Sequence, residues 1–191
     1  MPDVAHLDDA IAGPGEITAL LRSAHAGSSD ALNEAFQLLY RELRRLARRS
    51  LGHDGGTLNA TGLVHECFLR MAGGVARPVD RGHFLALAAR VMRQVICDHA
   101  RRRLAQKRGG GVEATADADE VALMDEAMRL VELDDMLDRL AHHDARQADV
   151  VVCRTFAGLT ADETAEALGV SVRTVHGDWA QAREWLALHC A

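Results

Sequence analysis

The sequence predicts an all-α protein built from two helical domains joined by a flexible linker. Apolar residues recur at the i, i+3, i+4 spacing of an amphipathic helix along most of the 191 residues. Hydrophobic residues make up 48% of the chain and aromatic residues only 4%, which favours helices packed on Ala and Leu over a β-sandwich. The glycine-rich stretch "KRGGGVEATADADE" divides the helical pattern into two parts.

The first domain is predicted to span residues 1–106 and to contain four helices. They are expected at about residues 15–26, from a Ser29 or Asp30 cap to Leu51, from just after Asn59 to Gly73, and from about Asp80 to Gln106. Each of these segments carries an apolar stripe, so the helices are expected to pack on one another.

The linker is predicted at residues 107–120 and the second domain at residues 121–191. Helices resume near Val121, and Asp144 is a candidate N-cap for the helix that follows. Two short helices close the chain and complete a four-helix unit.

The closing segment, "LTADETAEALGVSVRTVHGDWAQAREWL", predicts a helix-turn-helix. Thr160 and Glu163 have the spacing of a capping box, Gly169 suits the positive φ of the turn, and Ser171 can cap the second helix. Placed in the major groove, that helix would turn several side chains towards the bases. They are Arg173, Thr174, His176, Gly177, Ala180 and Gln181.

The chemistry of this second helix is mixed. Gln181 can pair with adenine, and Arg173 or Arg183 can hold phosphates. Asp178 would repel phosphate unless it faces away from DNA or pairs with Arg183. The helix is therefore expected to be a weak anchor by itself.

Charge is strongly segregated along a chain whose net charge is -6. Residues 90–108 hold seven basic residues and one acid, a local +6, and residues 41–49 hold five arginines and one acid, a local +4. Residues 113–144 hold eleven acids and two arginines, a local -9. Because affinity for DNA depends on the phosphates neutralised at the contact face, the basic helix could bind DNA within an acidic protein.

Other classes of protein find little support in the sequence. No apolar run approaches the length of a membrane span and no signal peptide is recognisable, so the protein is expected to be cytoplasmic. Three of its four cysteines, Cys67, Cys97 and Cys153, occupy apolar helix positions where buried free thiols are common. The ten histidines show no metal-ligand spacing, and neither a nucleophile nor a phosphate loop is evident. We therefore expect no enzyme, no metal and no cofactor.

Four stretches together resemble the extracytoplasmic-function (ECF) sigma factors of bacterial RNA polymerase. They are "ALNEAFQLLYRELRRLARRSL", "ATGLVHECFLRMAGG", "RGHFLALAARVMRQVICDHARRRLAQKRGG" and the closing helix-turn-helix segment. The resemblance runs from about residue 15 to residue 188. It implies a transcription initiation factor with core RNA polymerase and promoter DNA as partners. An anti-sigma factor is a further candidate partner, and no membrane partner is expected.

The resemblance also implies roles for particular residues. Contact with polymerase would involve Leu63, Val64, Glu66, Leu69 and Arg70. Contact with the -10 promoter element would involve Arg90, Arg93, Gln94, Asp98, His99, Arg101, Arg102 and Arg103. Contact with the -35 element would involve Ser171, Arg173, Thr174, His176, Gly177, Ala180, Gln181 and Arg183. The acidic linker would run through the polymerase towards the RNA exit path.

Two alternatives stay open at this point. A stand-alone transcriptional regulator with a helix-turn-helix would also explain the closing segment, but it would bind duplex operator without a polymerase. A protein-interaction module would use the apolar helix faces for partners and the arginines only for solubility. Neutralising residues 101–103 would leave the activity of such a module intact.

Overall fold

The computed structural model describes residues 14–51, 58–73, 78–109 and 118–189, and every regular element within them is an α-helix. In chain order these helices are α1 Pro14–His25, α2 Ser29–Leu38, α3 Tyr40–Leu51, α4 Ala60–Gly73, α5 Arg81–Gly109, α6 Ala118–His143, α7 Ala145–Thr155, α8 Ala161–Leu168 and α9 Val172–His189. The predicted all-α class is confirmed. Residues 110–117, the middle of the predicted linker, lie outside the described residues.

The predicted helix that ends at Leu51 is in fact two helices. Leu39 leaves helical geometry, with φ -91° and ψ 3°, and separates α2 from α3 while its side chain stays fully buried. The predicted cap at Ser29 or Asp30 was wrong by one or two residues, since the N-cap is Ser28. Ser28 has the extended backbone of an N-cap, and its hydroxyl accepts a hydrogen bond from the backbone N–H of Ala31 at 3.2 Å.

Helix α5 is the central element of the fold. It packs against α1, α3 and α4 of the first half and against α6, α7 and α8 of the second. A polar stripe through Arg90, Gln94 and Arg101 stays exposed, and the buried side chains cover the rest of the helix circumference. These buried side chains are Phe84, Leu85, Ala86, Ala88, Ala89, Val91, Met92, Val95, Ile96, Cys97 and Ala100.

One apolar core therefore runs through both halves of the chain, from Ile17 in α1 to Ala182 in α9. A small second cluster, Val150, Ala165 and Val175, joins α7, α8 and α9. The division into two domains stays a prediction, and in this conformation the two halves are packed together.

The two halves approach each other closely at Gly82, in the first turn of α5. A Cβ atom at this position would lie 2.6 Å from the carbonyl oxygen of Glu166 and 3.0 Å from the Cα of Ala167, both in α8. Arg81 pairs with Glu166 at 3.4 Å beside this contact. The glycine thus allows two helix backbones to meet without an intervening side chain.

The three predicted buried thiols are confirmed, since Cys67, Cys97 and Cys153 are free and buried. Burial raises the pKa of each thiol to about 12. Within the described part of the chain, no helix combines the length and apolar character needed to cross a membrane.

We expect Gly82→Ala to lower the free energy of unfolding by about 1–3 kcal/mol, because its methyl group would push against the backbone of α8. Gly15→Ala is the matched control, since Gly15 is also the second residue of a helix but has nothing within 4 Å of its added Cβ. Urea unfolding of both variants checks the prediction. Equal effects of the two substitutions would contradict it.

Candidate nucleic-acid interface

Local caps at the start of α8, at its end and at the start of α9 lie where the sequence predicts them. The Thr160 hydroxyl accepts from the backbone N–H of Glu163 at 3.1 Å, and the Glu163 carboxylate accepts from the backbone N–H of Thr160 at 2.8 Å. Gly169 adopts φ 65° and ψ 33°, the left-handed geometry that favours glycine. The Ser171 hydroxyl accepts from the backbone N–H of Thr174 at 3.0 Å and caps α9.

The outer face of α9 is open to solvent. Exposed residues of the predicted -35 set are Ser171, Arg173, His176, Gly177, Ala180, Gln181 and Arg183, and Thr174 is half-buried. The Gln181 carboxamide oxygen accepts a hydrogen bond from Gln147 of α7 at 2.8 Å, so one end of this side chain is already engaged. The structure brings the predicted set together on one helix, as the sequence pattern requires.

Asp178 faces away from this surface. Its carboxylate is 4% exposed and accepts two hydrogen bonds from the Arg146 guanidinium of α7, at 2.6 and 3.0 Å. These bonds raise the pKa of Arg146 above its ordinary value. The partner is therefore Arg146 and not Arg183, and the bidentate geometry keeps the negative charge inside the second half of the chain.

The predicted -10 residues line α5, but they are not equally accessible. Exposed members are Arg90, Gln94, Arg101 and Arg102, and half-buried members are Arg93, Asp98, His99 and Arg103. Most of the charged members are engaged with acidic or basic side chains of neighbouring helices.

Arg93 is the most enclosed of these arginines, with its side chain 13% exposed. Its guanidinium lies 3.2 Å from the Asp134 carboxylate and donates to Asp138 at 2.8 Å, both in α6. Asp134 is itself buried, so both charges of this pair have lost much of their hydration. Each charge therefore depends on the other for stabilisation.

Arg101 lies two turns further along α5 and also meets α6. Its guanidinium is 2.8 Å from Asp134 and 3.0 Å from Asp135. Partial desolvation acts to lower the pKa of Arg101, but the hydrogen bonds and charges of these two carboxylates outweigh it and raise the pKa. Asp134 thus bridges two arginines of the predicted -10 surface.

Arg90 pairs with Asp149 of α7, whereas Arg93 and Arg101 pair with α6. Burial raises the pKa of Asp149 above its ordinary value, and the Arg90 charge partly opposes that shift. Acidic residues from two helices of the second half, α6 and α7, therefore form ion pairs with three arginines of α5.

Two further charged side chains of this surface, Asp98 and His99, pair with α4. Asp98 accepts from Arg70 at 2.8 Å, and His99 lies 3.0 Å from the Glu66 carboxylate. The Arg102 guanidinium donates to the backbone carbonyl of Asp98 at 3.2 Å and is otherwise exposed. The predicted -10 and polymerase surfaces are thus contiguous along α4 and α5.

The five predicted polymerase-contact residues of α4 fall into two groups. Leu63 and Val64 are buried in the core, where they position the helix. Leu69 is 67% exposed, and Glu66 and Arg70 are half-buried. In this conformation only the second group presents atoms to a partner.

The acidic partners of α5 are the residues that the sequence reasoning missed. Asp134, Asp135 and Asp138 were noted only as members of the acidic segment 113–144, and Asp149 was not singled out. The signal was present, because a segment of local charge -9 follows one of +6 in the same chain. Charge complementarity within the chain would have suggested that the two segments meet.

A family model and similar curated proteins indicate the same family. Residues 14–191 match the family model described as ECF sigma factor. Similar curated proteins include the ECF RNA polymerase sigma factor SigD of Mycobacterium tuberculosis H37Rv and of Mycobacterium bovis, each 27% identical over 166 residues that cover 83% of this chain and 76% of the relative. Among solved structures, CnrH in complex with the cytosolic domain of CnrY aligns with a TM-score of 0.40 at 21% identity, covering 91% of this chain and 96% of the matched chain.

The pH dependence of stability at Glu163 tests the geometry of the capping box. The hydrogen bond from the Thr160 backbone N–H, followed by that from its hydroxyl and the charges of Arg45 and Arg49, lowers the Glu163 pKa below its ordinary 4.5. A lowered carboxyl pKa stabilises the fold above pH 4.5, and this contribution is lost as pH falls through the folded value.

Wild type should therefore be more stable than Glu163→Gln at pH 7, and the difference should shrink as pH falls below about 4.5. Urea unfolding at several pH values, down to the lowest at which the wild type stays folded, measures this difference. Asp162→Asn is the control, since it removes a charge from the same turn without breaking the capping box. A difference independent of pH would show that the carboxylate charge does not contribute.

Proposed function

Because the chain belongs to the ECF sigma factor family, whose members act with RNA polymerase in transcription initiation, we propose that it binds bacterial core polymerase, directs it to specific promoters and assists strand opening at the -10 element. Residues 1–106 would form the polymerase and -10 binding domain, 107–120 the linker, and 121–191 the -35 binding domain. The similarity to SigD, named as an RNA polymerase sigma factor, supports this assignment.

The observation that carries the proposal is the outer face of α9. Arg173, His176, Gln181 and Arg183 are exposed there, and the one carboxylate in the middle of the helix, Asp178, is turned inward onto Arg146. The arginines and Gln181 of this surface can contact phosphates and base edges in the major groove. Glu184 is the exposed carboxylate on the same face, one turn beyond Ala180. The weak anchor expected from the sequence alone is therefore more favourable to DNA than its residue content indicates.

The basic face of α5 supports the second contact. Strand opening exposes unstacked bases and two separated phosphate backbones, which arginine side chains can hold by charge and by stacking. A large polymerase partner would fix both DNA contacts at a set spacing, so that two modest interactions gain by effective concentration. This combination explains how an acidic chain could act on DNA.

The first experiment is to mix the purified chain with bacterial core RNA polymerase and follow co-elution on a sizing column. Co-elution supports the proposal. A folded chain that does not co-elute, and that binds duplex DNA as a dimer without polymerase, would instead identify a stand-alone regulator.

Leu69 should be a polymerase contact that contributes little to folding, because its side chain is 67% exposed on α4. We expect Leu69→Ser to weaken co-elution with core polymerase and to leave thermal stability nearly unchanged. Leu188→Ser is the matched control, since Leu188 is 73% exposed on α9 and lies outside the proposed polymerase surface. Equal loss of binding in both variants would show that Leu69 is not a specific polymerase contact.

Replacing Arg101 and Arg102 with Ala should lower promoter opening and leave polymerase binding near normal. Permanganate reactivity of thymines measures opening on a promoter selected by run-off transcription from genomic fragments. Arg44→Ala with Arg48→Ala is the control, because these two exposed arginines lie on α3 and are not part of the proposed -10 surface. Normal opening by the first double variant would show that the -10 contact lies elsewhere.

A further inference from the structure

The first turn of α7 packs against α9 beside its outer face. Two consecutive residues of α7 make side-chain hydrogen bonds to residues that lie about one turn apart on α9. Arg146 donates twice to the Asp178 carboxylate, at 2.6 and 3.0 Å. The carboxamide nitrogen of Gln147, Nε2, donates to the carboxamide oxygen of Gln181, Oε1, at 2.8 Å. The second bond ends on an exposed side chain of the proposed -35 surface.

Gln147 is held in a fixed position, whereas most glutamines lie in water. Its relative exposure is 7%. Its backbone N–H donates to the carboxylate of Asp144, the N-cap of α7, at 3.1 Å. Burying an amide costs free energy unless the amide is hydrogen-bonded, so the bond to Gln181 also satisfies the buried donor. The oxygen of Gln181 is therefore bonded to a donor that has little freedom to move.

The free atoms of the Gln181 carboxamide match the edge of adenine. A carboxamide has one oxygen that accepts two hydrogen bonds and one nitrogen that donates two. Gln147 uses one acceptor position of Gln181, so one acceptor position and two donors remain. In the major groove adenine presents the N6 amino group as a donor and N7 as an acceptor. The bond from Gln147 also restricts the rotamers of Gln181 before DNA arrives, which lowers the entropy cost of binding.

Guanine presents a different edge, with two acceptors at N7 and O6. A freely rotating glutamine can turn its amide until the NH2 group faces both acceptors. In this structure that rotation would break the bond from Gln147 and leave a buried donor without an acceptor, which is costly. The bond therefore makes Gln181 less adaptable and favours adenine over guanine.

Docking of α7 on α9 does not depend on the two glutamines alone. The pair of Arg146 with Asp178 already joins the two helices, and Val150 and Val175 lie in one apolar cluster with α8. A residue that only packed the helices would affect stability and would leave base preference unchanged. Base preference therefore separates a positioning role of Gln147 from a purely structural one.

We infer that Gln147 is a positioning residue for base readout: by holding the carboxamide oxygen of Gln181, it makes Gln181 select adenine and reject guanine at one position of the -35 element. Gln147 acts through Gln181 and contacts no base itself. The inference rests on the proposed function for the DNA and for the placement of α9 in the major groove.

Base selection by the full chain bound to core polymerase tests the inference. Gln147→Met keeps the length of the side chain and removes the donor, Gln181→Ala removes the reading group, and a third variant combines both changes. Gln37→Met is the matched control, since it makes the same side-chain change at an exposed position of α2. Each complex selects from a duplex library in which the -35 region of a promoter found by run-off transcription is randomised, and the bound DNA is sequenced.

We expect the wild type to enrich adenine over guanine at one position by at least about five-fold. Gln181→Ala should abolish this preference, and Gln147→Met should lower it several-fold at the same position and leave the other positions unchanged. The double variant should match Gln181→Ala, because Gln147 acts only through Gln181. Gln37→Met should match the wild type.

Three outcomes would overturn the inference. An unchanged ratio of adenine to guanine in Gln147→Met would show that Gln147 only packs α7 on α9. A preference for guanine that depends on Gln181 would show that the carboxamide presents only its donors to the base. A larger loss in the double variant than in Gln181→Ala would show that Gln147 acts on DNA by another route.

Failure of the inference is distinguishable from failure of the proposed function. A folded wild-type chain that selects no -35 sequence with polymerase counts against the function, and the inference falls with it. Clear selection with an unchanged ratio in Gln147→Met overturns the inference alone. If thermal unfolding shows that Gln147→Met does not fold, Gln147→Glu replaces it. Its carboxylate has a similar size and cannot donate to Gln181, so the ratio should fall in the same way.

Discussion

Between Phe84 and Ala100, helix α5 buries apolar side chains over most of its circumference, and the rest of the fold follows from the need to cover them. Helices of the first half, α1, α3 and α4, cover part of that surface, and α6, α7 and α8 cover the remainder. A two-domain chain in which the second half moved away would expose part of the α5 surface to water. The hydrophobic effect therefore favours closure of the free chain independently of any ion pair.

Ion pairs then determine which surfaces are hidden in the closed form. Asp134 bridges Arg93 and Arg101, and Asp149 pairs with Arg90, so the acids of the second half meet the arginines of α5 between Arg90 and Arg101. Asp178 works in the opposite sense, because its bond to Arg146 removes a negative charge from the outer face of α9. The same chemistry, a carboxylate on a guanidinium, thus covers one proposed DNA surface and improves the other. A polymerase that opened the chain would have to offer α5 and α6 replacement contacts for both the apolar area and the charges.

The sequence was sufficient for the features that depend on neighbours in the chain. The capping box at Thr160, the left-handed turn at Gly169 and the cap at Asp144 are all local, and each is found where it was predicted. Features that depend on distant residues were harder to predict. Asp178 meets Arg146 across 32 positions, and the acidic segment meets the basic helix across the linker, so neither pairing has a periodic signal.

The residues of α4 show a limit of assigning function from a family resemblance. The segment from Leu63 to Arg70 was assigned to polymerase as a block, but a helix divides such a block between its two faces. Leu63 and Val64 belong to the core side and Leu69 to the outer side. The helical periodicity of the apolar residues already separates the buried face from the outer face. The family resemblance assigned residues of both faces to one polymerase surface.

The most direct test of the closed fold around α5 is small-angle X-ray scattering of the free chain. A closed chain of this length should give a radius of gyration of about 16 Å and a pair-distance distribution with one maximum. A clearly larger radius, with a second maximum from two separated bodies, would contradict closure and with it the covering of α5 by α6.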